Sequence, residues 1–477
     1  MAEHDVLAPV TLPDTVKVVN VGLPLFSAAI AEQDQTALQV DWRIPGGGDA
    51  GVVDALRRLF GPLAKDIDEA NAEVFRRLDR GAPQLVEVRT ARDVVPGLAG
   101  KMLLHCGPRI ELDDVSDPLR RSMRSAICAE GWADTPDEAD QLLTTGTVTF
   151  EPANDHQTVV PMATVMGPQT PVWVVQLPDT DITTYAPLGQ GSGDVAWFGK
   201  DSQGAIDTLI LLRDVIGPVL EETIRDSGPV DILSLAAQAV AMGDDVHVRT
   251  QAATNLLFRT LLPALTTGSH PRKREAAEFL SANHLLFLSL AMAGARALTT
   301  WGAQVEGSSV ITGLSRNGTT YSAWLGDGSR MRSTAPSPMI GRALYKPGQN
   351  GDNAAPDIGD SAVLELIGLG GAAAANSPAV AQLVGGTMAH AAELTEQLDR
   401  VCVGRSSRIN LPMWGMRGSP LGVDVRYVVE LGLPPQVTTG ILDAHSGSGQ
   451  IGAGVATAPI ECFNELALAL ADDLTGP

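Results

Sequence analysis

Aromatic side chains are scarce in this chain: 9 Phe, 7 Trp and 4 Tyr make up 4% of its 477 residues. The core therefore has to be aliphatic, and runs of Ala, Val and Leu supply it. Cysteine is scarcer still, with only Cys106, Cys128, Cys402 and Cys462. They are too scattered for a disulfide framework and form no CxxC pair, so reduced thiols and a cytoplasmic location are expected. Basic residues are outnumbered, 34 Lys plus Arg against 56 Asp plus Glu, for a formal charge of −22. Such a body repels a nucleic-acid backbone unless it carries a local basic patch. The basic clusters Arg272-Lys273-Arg274 and Arg120-Arg121 read as solvated helix faces. Small anions remain admissible, because Gly-rich loops and helix N-termini act locally. The apolar stretch 285–295 is too short to span a membrane and carries small residues suited to helix packing. The opening MAEHDVLAPVTLPD has no charged segment followed by an apolar run, so no secretory signal is expected there.

What is present is the pattern of a mixed α+β protein, and length alone suggests about three domains of roughly 150 residues. The reading gives a small α/β extension over 1–62, an α/β domain over 63–202, a mainly helical domain over 203–305 and a second α/β domain over 306–477. Strands are expected at 16–21, 37–42, 101–105, 147–150 and 172–176, and a hairpin joins 310–314 to 321–325 across Asn317-Gly318. Apolar spacing of three and four predicts helices over 206–220, 232–241, 252–262 and 276–298, with later ones over 361–367, 378–400 and 459–473. Residues 336–356, rich in Pro, Gly and Asn, read as a loop.

Four segments have residue types suited to chemistry. The run Gly243-Asp244-Asp245-Val246-His247-Val248-Arg249 reads as opening a helix, with Asp244 and His247 on one face as a metal pair, an acid–base pair, or simply a cap with a hydrogen-bonded His. No second ligand set stands out, so no metal is expected. Arg316 sits beside the Asn317-Gly318 turn, where a guanidinium can hold a carboxylate by two hydrogen bonds, although RNG is also an ordinary hairpin turn. Asp360 or Ser361 would cap the helix holding Glu365, freeing backbone amides that favour anions. The Gly-rich run 447–454 contains GxGxxG. Only about 23 residues follow it, too few for the βαβ unit a dinucleotide needs, so no cofactor is expected and the run reads as a backbone loop close to a small ligand. GxSxG, HExxH, Walker A and kinase signatures are absent.

Taken in order, LLHCGPRI (103–110), AEGWA (129–133), MGDDVHVR (242–249), SRNG (315–318), PDIGDSAVLE (356–365), GVDVRYVVE (422–430) and GQIGAG (449–454) resemble the AllG/YlbE-like family. The resemblance covers about 65–475, and residues 1–60 resemble an extension of longer relatives and of FdrA-type subunits. It implies an α+β fold with a central helical domain. It further implies a subunit of an oxamate carbamoyltransferase of allantoin breakdown, working with FdrA/AllF-like and AllH-like subunits. The implied reaction moves a carbamoyl group between oxalurate and phosphate.

On this basis His247 or Asp245 would manage protons, and Arg249 would orient or bind. Arg316 with Asn317 would hold a carboxylate. Asp360, Ser361, Glu365, Gly449, Gln450, Gly452 and His105 would contact substrate. The sequence departs from the family where relatives read EGxGKxxRFG and AHKE: Gln190, Asp194 and Trp197 replace Glu, Lys and Arg, and Asp443-Ala444 replaces His-Lys. Exchanging Lys for Asp turns an anion donor into a repellent charge. Alternatives to the family reaction are therefore an altered substrate, a non-catalytic assembly subunit, or a C–N bond enzyme acting on another amide.

Overall fold

The computed structural model describes residues 17–40 and 44–475. The reading of residues 1–14, and the ends of the predicted strands at 16 and 41–42, lie outside the described residues. The fold is α+β, with helices packed around several small, mostly antiparallel sheets. One sheet orders Thr183–Pro187, Pro171–Gln176, Gln84–Thr90 and Val230–Asp231. A second joins Met331–Pro336, Thr320–Leu325, Ile311–Asn317 and Ile358–Gly359. A third joins Ile340–Tyr345, Gln450–Thr457 and Gln436–Leu442. Around Met102–His105 lie Thr149–Pro152, parallel to it, and Val165–Met166.

The helix Leu286–Ala303 is buried almost all round, as expected of a helix that is apolar on every face. Its Ala and Gly positions let neighbours approach closely. Leu290 and Leu298 join Val74, Trp173, Leu257, Val363 and Leu421 in one apolar cluster. The predicted helix over 276–298 is in fact two, Lys273–Ala282 and Leu286–Ala303, bent by 83°. Asn283 makes the break: its side-chain amide donates to Gly189 O and its oxygen accepts from Leu285 N. No single helix among the described residues is long and apolar enough to cross a membrane.

Other differences have local causes. The helix predicted over 378–400 divides into Pro378–Leu383 and Met388–Asp399 at Gly385 and Gly386, both at positive φ. The loop predicted over 336–356 contains the strand Ile340–Tyr345, whose exposed positions hide its alternation. The GxGxxG run is loop only to Gly449, and from Gln450 it is the central strand of an antiparallel sheet. That pairing is incompatible with a dinucleotide-binding βαβ unit. The hairpin across Asn317-Gly318 forms with Arg316 opposite Tyr321 and Gly318 at φ +84°. Both basic clusters are locally paired, with Arg272 on Glu275, Arg274 on Glu278, Arg120 on Asp140, and Arg121 on Asp117 and Asp201.

Gly107 marks a close junction, because a Cβ there would lie 2.5 Å from Asn317 N, and its φ is +79°. Gly100 has a similar φ, +62°, but open space around it. Gly100→Ala should therefore cost about 1 kcal/mol, the left-handed backbone penalty alone. Gly107→Ala should cost at least about 3 kcal/mol, because backbone must move. Urea-unfolding midpoints of the two variants check this, and equal losses would refute the close junction.

Candidate functional site

The segment 243–250 is not helical; it is a tight connection between Ile232–Ala241 and Gln251–Thr267. Asp244 and His247 therefore share no helix face. Val246 has φ +61°, a strained conformation for a β-branched residue. The Asp245 carboxylate holds the turn by accepting from Arg249 N at 2.9 Å, Val248 N at 3.3 Å and Thr438 Oγ1 at 3.2 Å. The Asp245 carbonyl accepts from Gly370 N at 2.7 Å. Asp245 is fully buried, and burial pushes its carboxyl above the usual range.

This turn brings His247 Nδ1 to 2.9 Å from Glu365 Oε1, where the ring N–H donates to the carboxylate. The same oxygen accepts from Gly371 N at 3.1 Å and Thr438 N at 3.2 Å. Gly370 is at φ +59°, and a Cβ there would lie 2.2 Å from Glu365 Oε1. With Nδ1 engaged, Nε2 is the His247 nitrogen left for a ligand.

His247 lines a cavity of about 70 Å³. One water needs roughly 10–15 Å³ of such space, so the cavity suits a few waters or a small flat group. Its other polar contributors are Ser361, Gln450 and Gly440, and no Lys or Arg lines it. Ser361 Oγ is buried and has no partner within the protein, an unusual state that a ligand would resolve. The remaining walls are apolar: Met162, Trp197 and Phe198 on one side, Leu285 and Leu288 from the helix elbow, and Val248 and Ala453. Trp197 is fixed by its own N–H to Gln190 Oε1 and its indole N–H to Gly191 O, both 2.9 Å. Met162 is held at φ +52°, with its backbone against Gly359, where a Cβ would meet Met162 N at 2.6 Å.

The residues singled out in the sequence take three kinds of position. His247, Ser361 and Gln450 line the cavity. Asp245 and Glu365 stand behind them, fully buried and holding backbone and imidazole. The rest lie elsewhere. Arg316 is fully buried, with Nε and Nη2 on Asp357 at 2.7 and 3.1 Å, and Thr439 Oγ1 completes that carboxylate at 3.0 Å. Asn317 caps the hairpin by accepting from Thr319 N and Thr320 N, and it donates to Pro108 O. Asp360 does not cap its helix; its carboxylate accepts from Gly107 N at 2.9 Å and Val160 N at 3.1 Å. His105 is buried edge-on to Phe150, with Nδ1 on Cys106 O and its pKa held down to about 4 by burial. Arg249 pairs with Asp244 at 3.4 Å and is partly exposed. Gly452 packs inside its sheet, where a Cβ would meet Leu344 O at 2.6 Å, and Gly449 lies against the Lys200 side chain. Sequence reasoning did not find Met162, Phe198, Leu285, Leu288 or Thr438. No motif signals an apolar wall, and the left-handed Met162 has no sequence signature.

Burial pushes the Asp360 carboxyl up to about 7, against the two amides and the nearby Arg316 and Arg296. An acid whose pKa is raised in the folded state binds its proton more tightly there than when unfolded. Its contribution therefore lowers stability as pH climbs from the unfolded aspartate value of about 4 to about 7, and is level above. Asp244, pushed by burial to about 6, acts in the same direction. Unfolding free energy should decline across that window, and Asp360→Asn should flatten some of the slope. An unchanged slope in urea titrations would remove Asp360 from the titrating set.

Known proteins share this arrangement of chain. The family model for oxamate carbamoyltransferase subunit AllG matches residues 148–361, which include Met162, Trp197, His247 and Ser361. Over 413 residues the chain is 33% identical to the oxamate carbamoyltransferase subunit AllG of Escherichia coli (strain K12), covering 86% of this chain and 98% of that protein. Over 459 residues it is 32% identical to the uncharacterized protein YahG of the same strain, covering 94% and 96%. The crystal structure of a conserved protein of unknown function from Enterococcus faecalis V583 superposes with a TM-score of 0.82 at 31% identity, covering 86% of this chain and 98% of that one. With a third of its residues shared along nearly the whole of such a relative, the chain belongs to the AllG family.

Proposed function

We propose that this chain is a catalytic subunit of a carbamoyltransferase complex, working with FdrA/AllF-like and AllH-like subunits on an oxalurate-type ureide and phosphate. The observation that carries this reading is the meeting of His247, backed by Glu365, with the unpartnered Ser361 hydroxyl and the Gln450 side chain in one small cavity without charged walls. A flat, uncharged carbamoyl group fits such a space, and a nucleotide does not.

The chemistry follows from the donors and acceptors. The C–N bond between the carbamoyl carbon and the ureide nitrogen breaks, and a bond forms between that carbon and a phosphate oxygen. The proton lost by hydrogen phosphate ends on the departing nitrogen, giving oxamate and carbamoyl phosphate. His247 Nε2 is the group that takes and returns this proton. Glu365 fixes the tautomer by accepting from Nδ1 and favours the charged imidazole as it forms. Ser361 and Gln450 hydrogen-bond the carbonyl and amide edges of the transferred group.

A second reading is action on another amide, and the cavity's lack of a cation favours it. Oxalurate, phosphate and the assembled complex decide between the two, since carbamoyl phosphate forms only under the first. With the family substrates, His247→Gln should lower kcat at least about 100-fold, the usual size of a general acid–base effect. Glu365→Gln should lower it by about 10-fold or more while the complex still assembles on gel filtration. Unchanged turnover in both variants would leave the chain as a non-catalytic assembly subunit.

A further inference from the structure

The carbamoyl-transfer reading requires an anion, yet the cavity wall offers it no cation. Arg316 is fully buried on Asp357, and Arg249 pairs with Asp244 outside the cavity. Two further cations lie beside residues of the cavity wall or their chain neighbours. Trp197 and Phe198 wall the cavity, and the chain continues from them through Gly199 to Lys200. Gln450 also lines the cavity, and its carbonyl oxygen accepts from Lys346 Nζ. Lys200 also lies across the loop before Gln450, since a Cβ on Gly449 would sit 2.6 Å from Lys200 Cε.

We propose that Lys200 and Lys346, flanking residues 447–450, form an oxyanion subsite at the cavity rim that binds phosphate. This rests on the carbamoyl-transfer reading above and assigns that reading its second substrate position.

Charge supports the assignment. Two ammonium groups brought together on a chain of net charge −22 need a reason. Lys346 has no carboxylate within ion-pair distance among the described residues, and Lys200 has only Asp194, at 3.4 Å. The Lys346 ammonium is held below its usual pKa by burial and then by repulsion from Lys200, a repulsion that an anion between them relieves. The third cation here is already neutralised: Arg121 pairs with Asp117 and Asp201 and donates to His445 O. It shapes the loop rather than reading the ligand. Asp443 does the same from within, accepting from His445 N and Ser446 N. Gly447 and Gly449, at φ +67° and +88°, complete a bend that lets an anion approach backbone.

The test is titration of the full chain with inorganic phosphate at constant ionic strength, followed by calorimetry and by melting temperature. Chloride serves as the blank and oxamate as the carboxylate arm. Phosphate should bind the wild type. Lys346→Ala and Lys200→Ala should each weaken it by about tenfold, and the double variant should abolish it. Lys346→Arg should keep most of the affinity, and the exposed Lys65→Ala should behave as wild type. Absence of phosphate binding, or a folded double variant that titrates like the wild type, overturns the proposal. Oxamate binding lost in the lysine variants without any phosphate binding also overturns it, because the rim would then read a carboxylate. Phosphate binding is measured without turnover. Binding with no transfer in the complex defeats the carbamoyl-transfer reading alone, whereas transfer that survives loss of both lysines defeats the subsite alone.

Discussion

One carboxylate oxygen, Glu365 Oε1, draws three distant segments of the chain to a point. It accepts from His247 at 2.9 Å, Gly371 N at 3.1 Å and Thr438 N at 3.2 Å. Burying a carboxylate is costly unless donors replace water, and these donors come from segments that would otherwise have no reason to meet. The arrangement tolerates nothing larger than hydrogen at Gly370. It also explains why Val246 is held in a strained turn: relaxing Val246 would swing His247 off Glu365 and release Asp245 from Thr438. The site is thus over-determined by hydrogen bonds, and the backbone strain is sustained by them.

A second buried carboxylate, Asp360, has a comparable role slightly earlier in the chain. It ties Gly107 and Val160 to the strand that follows Asp357, so the sheet carrying Arg316 and the sheet carrying His105 are joined through it. Glu365 aligns an imidazole with the cavity, whereas Asp360 fixes the backbone from which Ser361 reaches it. Residues of one short motif, PDIGDSAVLE, therefore serve quite different ends. Asp357 neutralises an arginine, Asp360 staples loops, Ser361 meets the cavity and Glu365 orients a histidine.

Much of this was legible in the sequence. The α+β character, the Asn317-Gly318 hairpin and the helical middle of the chain follow from periodicity and turn chemistry, which are local properties. The three motifs holding His247, Ser361 and Gln450 were also visible, and all three reach the cavity. What the sequence could not reveal was direction. Arg316 and Asn317 are suited to ligands by type, but Asp357 and the hairpin's own amides reach them first. The run at 243–249 looked helical because a one-residue reversal at Val246 leaves no trace in spacing. The elbow at Asn283 was hidden because apolar residues keep helical spacing on both sides of it, while the break is fixed by bonds from Asn283 to the distant carbonyl of Gly189 and to Leu285 N.

That elbow separates two kinds of support for the cavity wall. His247 and the turn that carries it are held by carboxylates deep in the protein, Glu365 and Asp245. Leu285 and Leu288 belong instead to the bend between two helices, one of them only partly buried. Substitutions along Lys273–Ala282 would reach that wall without touching the carboxylates that hold His247 and its turn. The width of the cavity and the position of His247 are thus set by different parts of the fold.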